Sequence, residues 1–213
     1  MLADYQRLMW PEHYRDAPTA AGHTNAKHGV VTGLDNAMVQ AFARAQSDLS
    51  DELINRVHAR DPVFFEELVI DVLFAMGYGG RRRDLARRLG RSGDGGVDGL
   101  IFMDELGLDL IYIQAKRLKP GAVVPVGDVR DFAGSLDAHH ASKGIFVATS
   151  HFSSAALSFS EQVSRRVVLI DGKRLAELMI RCNIGVKVQQ SYQFKRVDLD
   201  YFRPEMQQTA ASR

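Results

Sequence analysis

Three side chains near the middle of the chain have the types and spacing for metal-assisted phosphate chemistry: Asp98, Gln114 and Lys116. The run Leu110-Ile-Tyr-Ile-Gln-Ala-Lys116 reads as a strand. Residues two apart on a strand project from one face, so Gln114 and Lys116 point together with Leu110 and Tyr112, and Ile111, Ile113 and Ala115 point the other way. A lysine ending an apolar central strand is costly unless its ammonium finds a partner or water. Asp98 lies on the preceding strand and reaches the same face. A carboxylate, an amide oxygen and an ammonium then converge. Hard divalent cations such as Mg2+ take oxygen ligands of this kind, often one or two carboxylates plus a substrate phosphate. The ammonium could orient a water nucleophile or stabilise charge building on phosphorus. The same residue types would also serve a strand-end Lys–Asp salt bridge.

Glu66 is a further acid of interest. At about 100° per helical position, Val69, Ile70 and Leu73 fall within about 60° of it. The spacing predicts an acid embedded in an apolar stripe, which calls for a ligand or for a buried salt bridge to an arginine. Glu67 and Asp71 fall on a separate, solvent-facing arc. Between positions 81 and 91 stand Arg81, Arg82, Arg83, Arg87, Arg88 and Arg91 against one acid, Asp84. Such a cluster can bind phosphate on a nearly neutral protein, or simply be a solvated face. The loop Ser92-Gly-Asp-Gly-Gly lacks the Gly-Lys-Ser/Thr ending of a P-loop; its glycines read as a sharp turn into the Asp98 strand, close to a nucleic acid backbone. Thr149 and Ser150 end a strand, where they could bond phosphate or cap the next helix. His139, His140 and His151 have no metal-like spacing and read as surface residues.

The elements that must position these residues follow from the pattern. Asp61-Pro62 is a helix start, a capping acid followed by proline, and that helix runs to about Met76 and stops at Gly77. Asp98–Met103 and Asp109–Arg117 flank a turn at Asp104–Gly107 and predict a hairpin. Val129, Phe132 and Leu136 have helical spacing. Gly144–Thr149 reads as a strand, Ser153–Val163 as a helix, Val167–Ile170 as a strand and Leu175–Cys182 as a helix. Val186, Val188, Gln190, Tyr192 and Phe194 alternate like a peripheral strand. The fold class is α/β: a mixed central β-sheet flanked by helices, in α-β-β-α-β-α-β-α order. Ahead of it, Pro18–Gly33 reads as loop, and Leu34–Arg60 has weak helical spacing through Met38, Phe42, Leu53, Ile54 and Val57, with Ser50 as a candidate N-cap.

Composition limits the rest. The 213 residues are 46% hydrophobic and 25% charged with a formal net charge of +1, ordinary for a globular chain and too apolar for a mainly disordered one. No apolar run reaches the roughly 18 residues of a membrane helix, and no secretory signal is visible. The single cysteine, Cys182, can form neither an internal disulfide nor a Cys-rich zinc site, and a cytoplasmic location is expected.

Several segments taken together resemble the catalytic domain of Mrr-type restriction endonucleases, of the PD-(D/E)xK nuclease superfamily. They are Phe64-Phe-Glu-Glu-Leu-Val, Met76-Gly-Tyr-Gly-Gly80, Gly90-Arg-Ser-Gly-Asp-Gly-Gly-Val-Asp-Gly99, Ile111-Tyr-Ile-Gln-Ala-Lys116 and Val168-Leu-Ile-Asp-Gly172. The resemblance spans about residues 61–203, with 204–213 expected to be a disordered tail. It implies a Mg2+-dependent DNA endonuclease, with Mn2+ able to substitute, often directed at methylated double-stranded DNA. Asp98 matches the motif aspartate, Gln114 and Lys116 the family's Gln-x-Lys, and Glu66 its first-helix glutamate. Asp98, Gln114 and Glu66 are then the metal ligands. A neutral amide gives a metal less charge than a carboxylate, which makes an acid such as Glu66 more useful. Arg81, Arg82, Arg83, Arg91, Ser92, Arg117, Thr149 and Ser150 are the expected DNA contacts. A double-strand cut needs two sites or two events, so a homo-oligomer is expected. The family's full-length members carry an N-terminal winged-helix reader. Here Asp4–Pro11 looks like its opening, but residues 1–60 are too short for it and read as a partly helical remnant.

Two other classes of function compete with a hydrolase. A DNA-binding module would keep the fold and cut poorly, although the intact Asp98, Gln114 and Lys116 speak against a decayed site. A nucleotide-binding α/β domain would use the glycine-rich loop, but no complete fingerprint is present.

Overall fold

In the computed structural model, which describes residues 33–79, 86–88, 97–104, 106–191 and 201, the chain enters on a long helix. Helix α1 spans Gly33–His58 without a break. Ser50 therefore caps nothing: it sits inside the helix and its Oγ donates to the Gln46 carbonyl at 2.9 Å. The segment before it carries Ala37, Ala41, Ala43 and Ala45 with Gln40, Arg44 and Gln46, good helix formers, so the helix runs straight through the expected start. Leu53 and Val57 are buried and α1 packs on the last helix, α5 (Gly172–Arg181). Met38 and Phe42 remain exposed, and residues 36–45 are exposed on every side.

Helix α2 (Pro62–Ala75) begins as read from Asp61-Pro62: the Asp61 carboxylate accepts from the Phe64 N–H at 2.8 Å. Its N–H donors hold the Asp61 carboxyl below the usual carboxylate range, Phe64's foremost. The helix stops before Gly77, which takes a φ of 96°. Its buried stripe is Phe65, Leu68, Val69, Val72 and Leu73, centred further round than expected. Glu66 is consequently half-buried at the edge of the stripe rather than embedded in it, and Asp71 is half-buried rather than solvent-facing.

The main sheet has the order β1-β2-β3-β5-β7: β1 (Ala86–Arg88), β2 (Gly99–Phe102), β3 (Leu110–Lys116), β5 (Lys143–Ala148) and β7 (Arg166–Ile170). β1, β2 and β3 pair antiparallel; β3, β5 and β7 pair parallel. This is the expected mixed sheet with its hairpin, extended by β1, three residues too short to betray a period. Helices α3 (Val126–Ala138) and α4 (Ser154–Gln162) make the crossovers. Two further two-residue strands, β4 (Val123–Val124) and β6 (His151–Phe152), pair parallel beside the crossover.

The alternation along each strand divides the core in two. Ile111, Ile113, Ile145 and Val147 pack with α1, α2 and α5 on one face. Tyr112, Phe146, Ala148 and Val167 pack with Val129, Phe132 and Leu136 of α3 and Ala156 of α4 on the other. The expected peripheral strand does not form in its described part: 186–191 carry no strand, and Val188 is 71% exposed. Tyr192 and Phe194 lie outside the described residues, as do Arg81, Arg82, Arg83, Arg91, Ser92 and most of the glycine loop. No helix among the described residues is long and apolar enough to cross a membrane.

Candidate active site

The C-terminal end of β3 gathers the residues singled out by type. The ladder pairs Gly99 with Ile113 and carries on one residue further through Asp98 N–H to the Ile113 carbonyl at 2.9 Å. That register sets Asp98 opposite Gln114. The Asp98 Oδ2 then accepts from the Ala115 N–H at 2.7 Å. The carboxylate thus takes the ladder's next acceptor position, where a donor on a rigid strand fixes its place.

Gln114 and Lys116 lie on the α3–α4 face of β3, as the two-residue period requires. Gln114 Oε1 is buried and has no hydrogen-bond partner among the described residues. An amide oxygen left so is costly unless something electropositive is supplied to it. The donor set suits a hard cation: an unsatisfied amide oxygen with a pinned carboxylate opposite. Among the described residues no three His, Cys, Asp or Glu come together for a metal. Glu66 belongs to α2, which packs on β3 from the opposite face.

Lys116 is partnered, but not by Asp98. Its Nζ lies 2.5 Å from Oδ2 of Asp128, in the first turn of α3. The expected alternative of a strand-end salt bridge is therefore realised with a different aspartate, one that pattern reading passed over. A signal for it exists: a helix following a parallel strand starts near that strand's C-terminal end, so an acid in its first turn can meet a lysine ending the strand.

The remaining expected contacts are engaged inside the protein. Arg117 points to the other face, and its Nη1 donates to the His58 carbonyl at the end of α1 at 3.2 Å. Thr149 is buried; its Oγ1 accepts from the Leu118 N–H at 2.9 Å and donates to the Leu118 carbonyl. Ser150 Oγ donates to the Ala122 carbonyl. Neither caps the following helix, whose cap is Ser153. Together they fasten the segment after Lys116 to the end of β5.

Residues 57–179 match a protein-family model described as a restriction endonuclease, the Mrr catalytic domain. The type IV methyl-directed restriction enzyme EcoKMrr of Escherichia coli (strain K12) is 39% identical over 168 residues, covering 79% of this chain and 54% of that enzyme. The chain thus spans about half the length of that curated relative. Among solved structures, the DNA modification-dependent restriction endonuclease AspBHI aligns at 21% identity with a TM-score of 0.48, covering 66% of this chain and 36% of the other. The MspJI restriction endonuclease in complex with a 27-mer oligonucleotide aligns at 28% identity with a TM-score of 0.43, covering 79% and 37%.

Proposed function

This chain belongs to the Mrr catalytic-domain family of restriction endonucleases, and from that premise we propose that it is a metal-dependent endonuclease hydrolysing phosphodiesters of double-stranded DNA. The observation that carries the reading is the buried Gln114 Oε1, without a partner among the described residues, opposite a carboxylate already fixed by the Ala115 N–H. Asp98 and Gln114 would hold a Mg2+ ion, or Mn2+ in its place. Bound there, the ion supplies Lewis acidity toward a phosphoryl oxygen and a more acidic water. The chain's own residues do the rest. Asp98 keeps its carboxylate in one orientation because a backbone donor holds it. Lys116 brings a positive charge to the same sheet face, where it orients the attacking water and offsets charge building on the phosphate. Arg81, Arg82, Arg83, Arg91 and Ser92 precede Asp98 in the chain and would track the DNA backbone.

EcoKMrr is described as methyl-directed, and the same preference is proposed for this chain, in a cytoplasmic restriction role as a homo-oligomer. The test is digestion of matched methylated and unmethylated plasmids with Mg2+ and with chelator, beside a Lys116→Ala control. Metal-dependent nicking by the wild type, faster on methylated plasmid and lost in Lys116→Ala while DNA binding survives, supports the reading. A folded wild type that binds DNA and nicks neither plasmid would make the chain a binding module instead.

A further inference from the structure

We propose that Asp128 is a positioning residue for Lys116, setting where its ammonium stands relative to the scissile phosphate; this rests on the reading of Lys116 as a group that faces that phosphate. The geometry carries it. Lys116 is the last residue of β3, and its charge sits on a flexible four-carbon stem. The neighbour that shares its face, Gln114, is neutral and cannot hold an ammonium by charge. Asp98 Oδ2 is taken by the Ala115 N–H. The charge that anchors Lys116 comes instead from Asp128, at 2.5 Å across the crossover.

Asp128 suits the task from its own surroundings. It occupies the first turn of α3, whose N-cap is Pro125 and which has no side-chain cap. A carboxylate there is favoured by the helix N-terminus, so the helix as well as the lysine holds it in the first turn. The Asp128 side chain is 24% exposed, against 58% for Asp137, which pairs with Arg165 at the far end of the same helix. The base of α3 is buried through Val129 and Phe132, so the anchor is carried by a rigid element. The Lys116 side chain is itself 38% exposed, so it is not sealed from solvent while paired. A carboxylate beside the lysine also keeps the local charge near neutral until DNA arrives, which is one reason the role is positioning rather than attraction of substrate.

The experiment measures nicking kinetics and metal-free DNA affinity for wild type, Asp128→Asn, Asp128→Glu and Asp137→Asn. A misplaced catalytic group costs on the order of a hundredfold, so Asp128→Asn should lower kcat by about ten- to a hundredfold with KM and DNA affinity within about twofold. Asp128→Glu, which restores the carboxylate, should recover most of that loss, and Asp137→Asn should cut like the wild type. Independently of activity, acylation of Lys116 followed by mass spectrometry should rise about threefold or more in Asp128→Asn, with the exposed Lys119 as internal reference. If Asp128→Asn does not fold, Asp128→Ser is read in the same way. An active wild type with an equally active Asp128→Asn overturns the inference and leaves the nuclease reading intact. An equal loss in Asp137→Asn also overturns it, because the effect then belongs to the helix. A wild type that never nicks overturns the nuclease reading and, with it, this inference.

Discussion

Replacing Gln114 by methionine separates what the site costs the fold from what it does. Gln114 Oε1 is buried without a partner among the described residues. An unsatisfied buried acceptor costs about 1–3 kcal/mol. Methionine has similar length, no branch and no acceptor that demands a strong donor. The metal-free Gln114→Met protein should therefore be more stable than the wild type by about 1–3 kcal/mol. At about 2–4 °C per kcal/mol for a domain of this size, the melting temperature should rise by roughly 2–12 °C. Metal works against that order. A cation at hundredfold excess over its Kd stabilises the wild type by about 2.7 kcal/mol, and it should do little for a variant that has lost a ligand. Nicking should fall at the same time. Calorimetric melts with and without Mg2+, at matched ionic strength, read both effects. A metal-free variant less stable than the wild type would refute the cost assigned to the amide oxygen. An unchanged metal-induced shift would refute its role as a ligand.

Three further outcomes are expected. Neutralising Arg81, Arg82 and Arg83 together should weaken binding to all duplexes alike and reduce the log–log salt slope by about 2–3; an unchanged slope assigns them to the solvated surface. Asp104 accepts from the N–H groups of Leu106, Leu108 and Asp109, and these donors, Leu108's foremost, hold its carboxyl below the usual range. A lowered folded value contributes stability above the unfolded pKa, about 3.9, and loses it as pH falls through the folded one; Asp104→Asn should therefore lose urea resistance at neutral pH, and its deficit should shrink as pH falls below about 3.9. At Gly172 a Cβ would stand 2.4 Å from the Thr149 carbonyl oxygen, so Gly172→Ala should destabilise by about 1–3 kcal/mol. In Gly134→Ala the Cβ meets nothing within 4 Å, so that variant should gain about 0.5–1 kcal/mol, and urea midpoints compare the two.

The elements that bury a face were legible because burial imposes a period. Ile111, Ile113 and Ala115 against Tyr112, Gln114 and Lys116 is a two-residue alternation, and Val129, Phe132 and Leu136 a helical one; both read through to the structure. Asp98 and Gln114 came together because a hairpin register is local. What the pattern could not give was tertiary. Ser50 has the chemistry of a cap, and only the helix-forming residues around it make it interior. Thr149 and Ser150 face backbone groups of the segment from Leu118 to Ala122, which depends on how the crossover returns. Lys116 was expected near Asp98 because both belong to one hairpin, yet the nearer charge proved to be Asp128, brought by the first turn of the next helix. The alternation begun at Val186 gives no strand in its described part, 186–191, because alternation alone supplies no neighbour to pair with, and Val188 stays in solvent.

Helix α1 is anchored to the core only from Leu49 onward, through Leu49, Leu53 and Val57, while residues 36–45 are exposed all round. At 1.5 Å per residue, the stretch from Gly33 to Leu49 makes a boom of about 24 Å. A group attached within 36–45 is thus offset from the sheet at a set distance and bearing, as on a strut, rather than free to sweep a sphere as on a glycine-rich tether. For a fluorophore, an affinity handle or a fused domain, the attachment angle follows the helical rotation of about 100° per residue. Adding or removing one residue in 36–45 would swing the load around the axis by that angle while moving it outward by only about 1.5 Å.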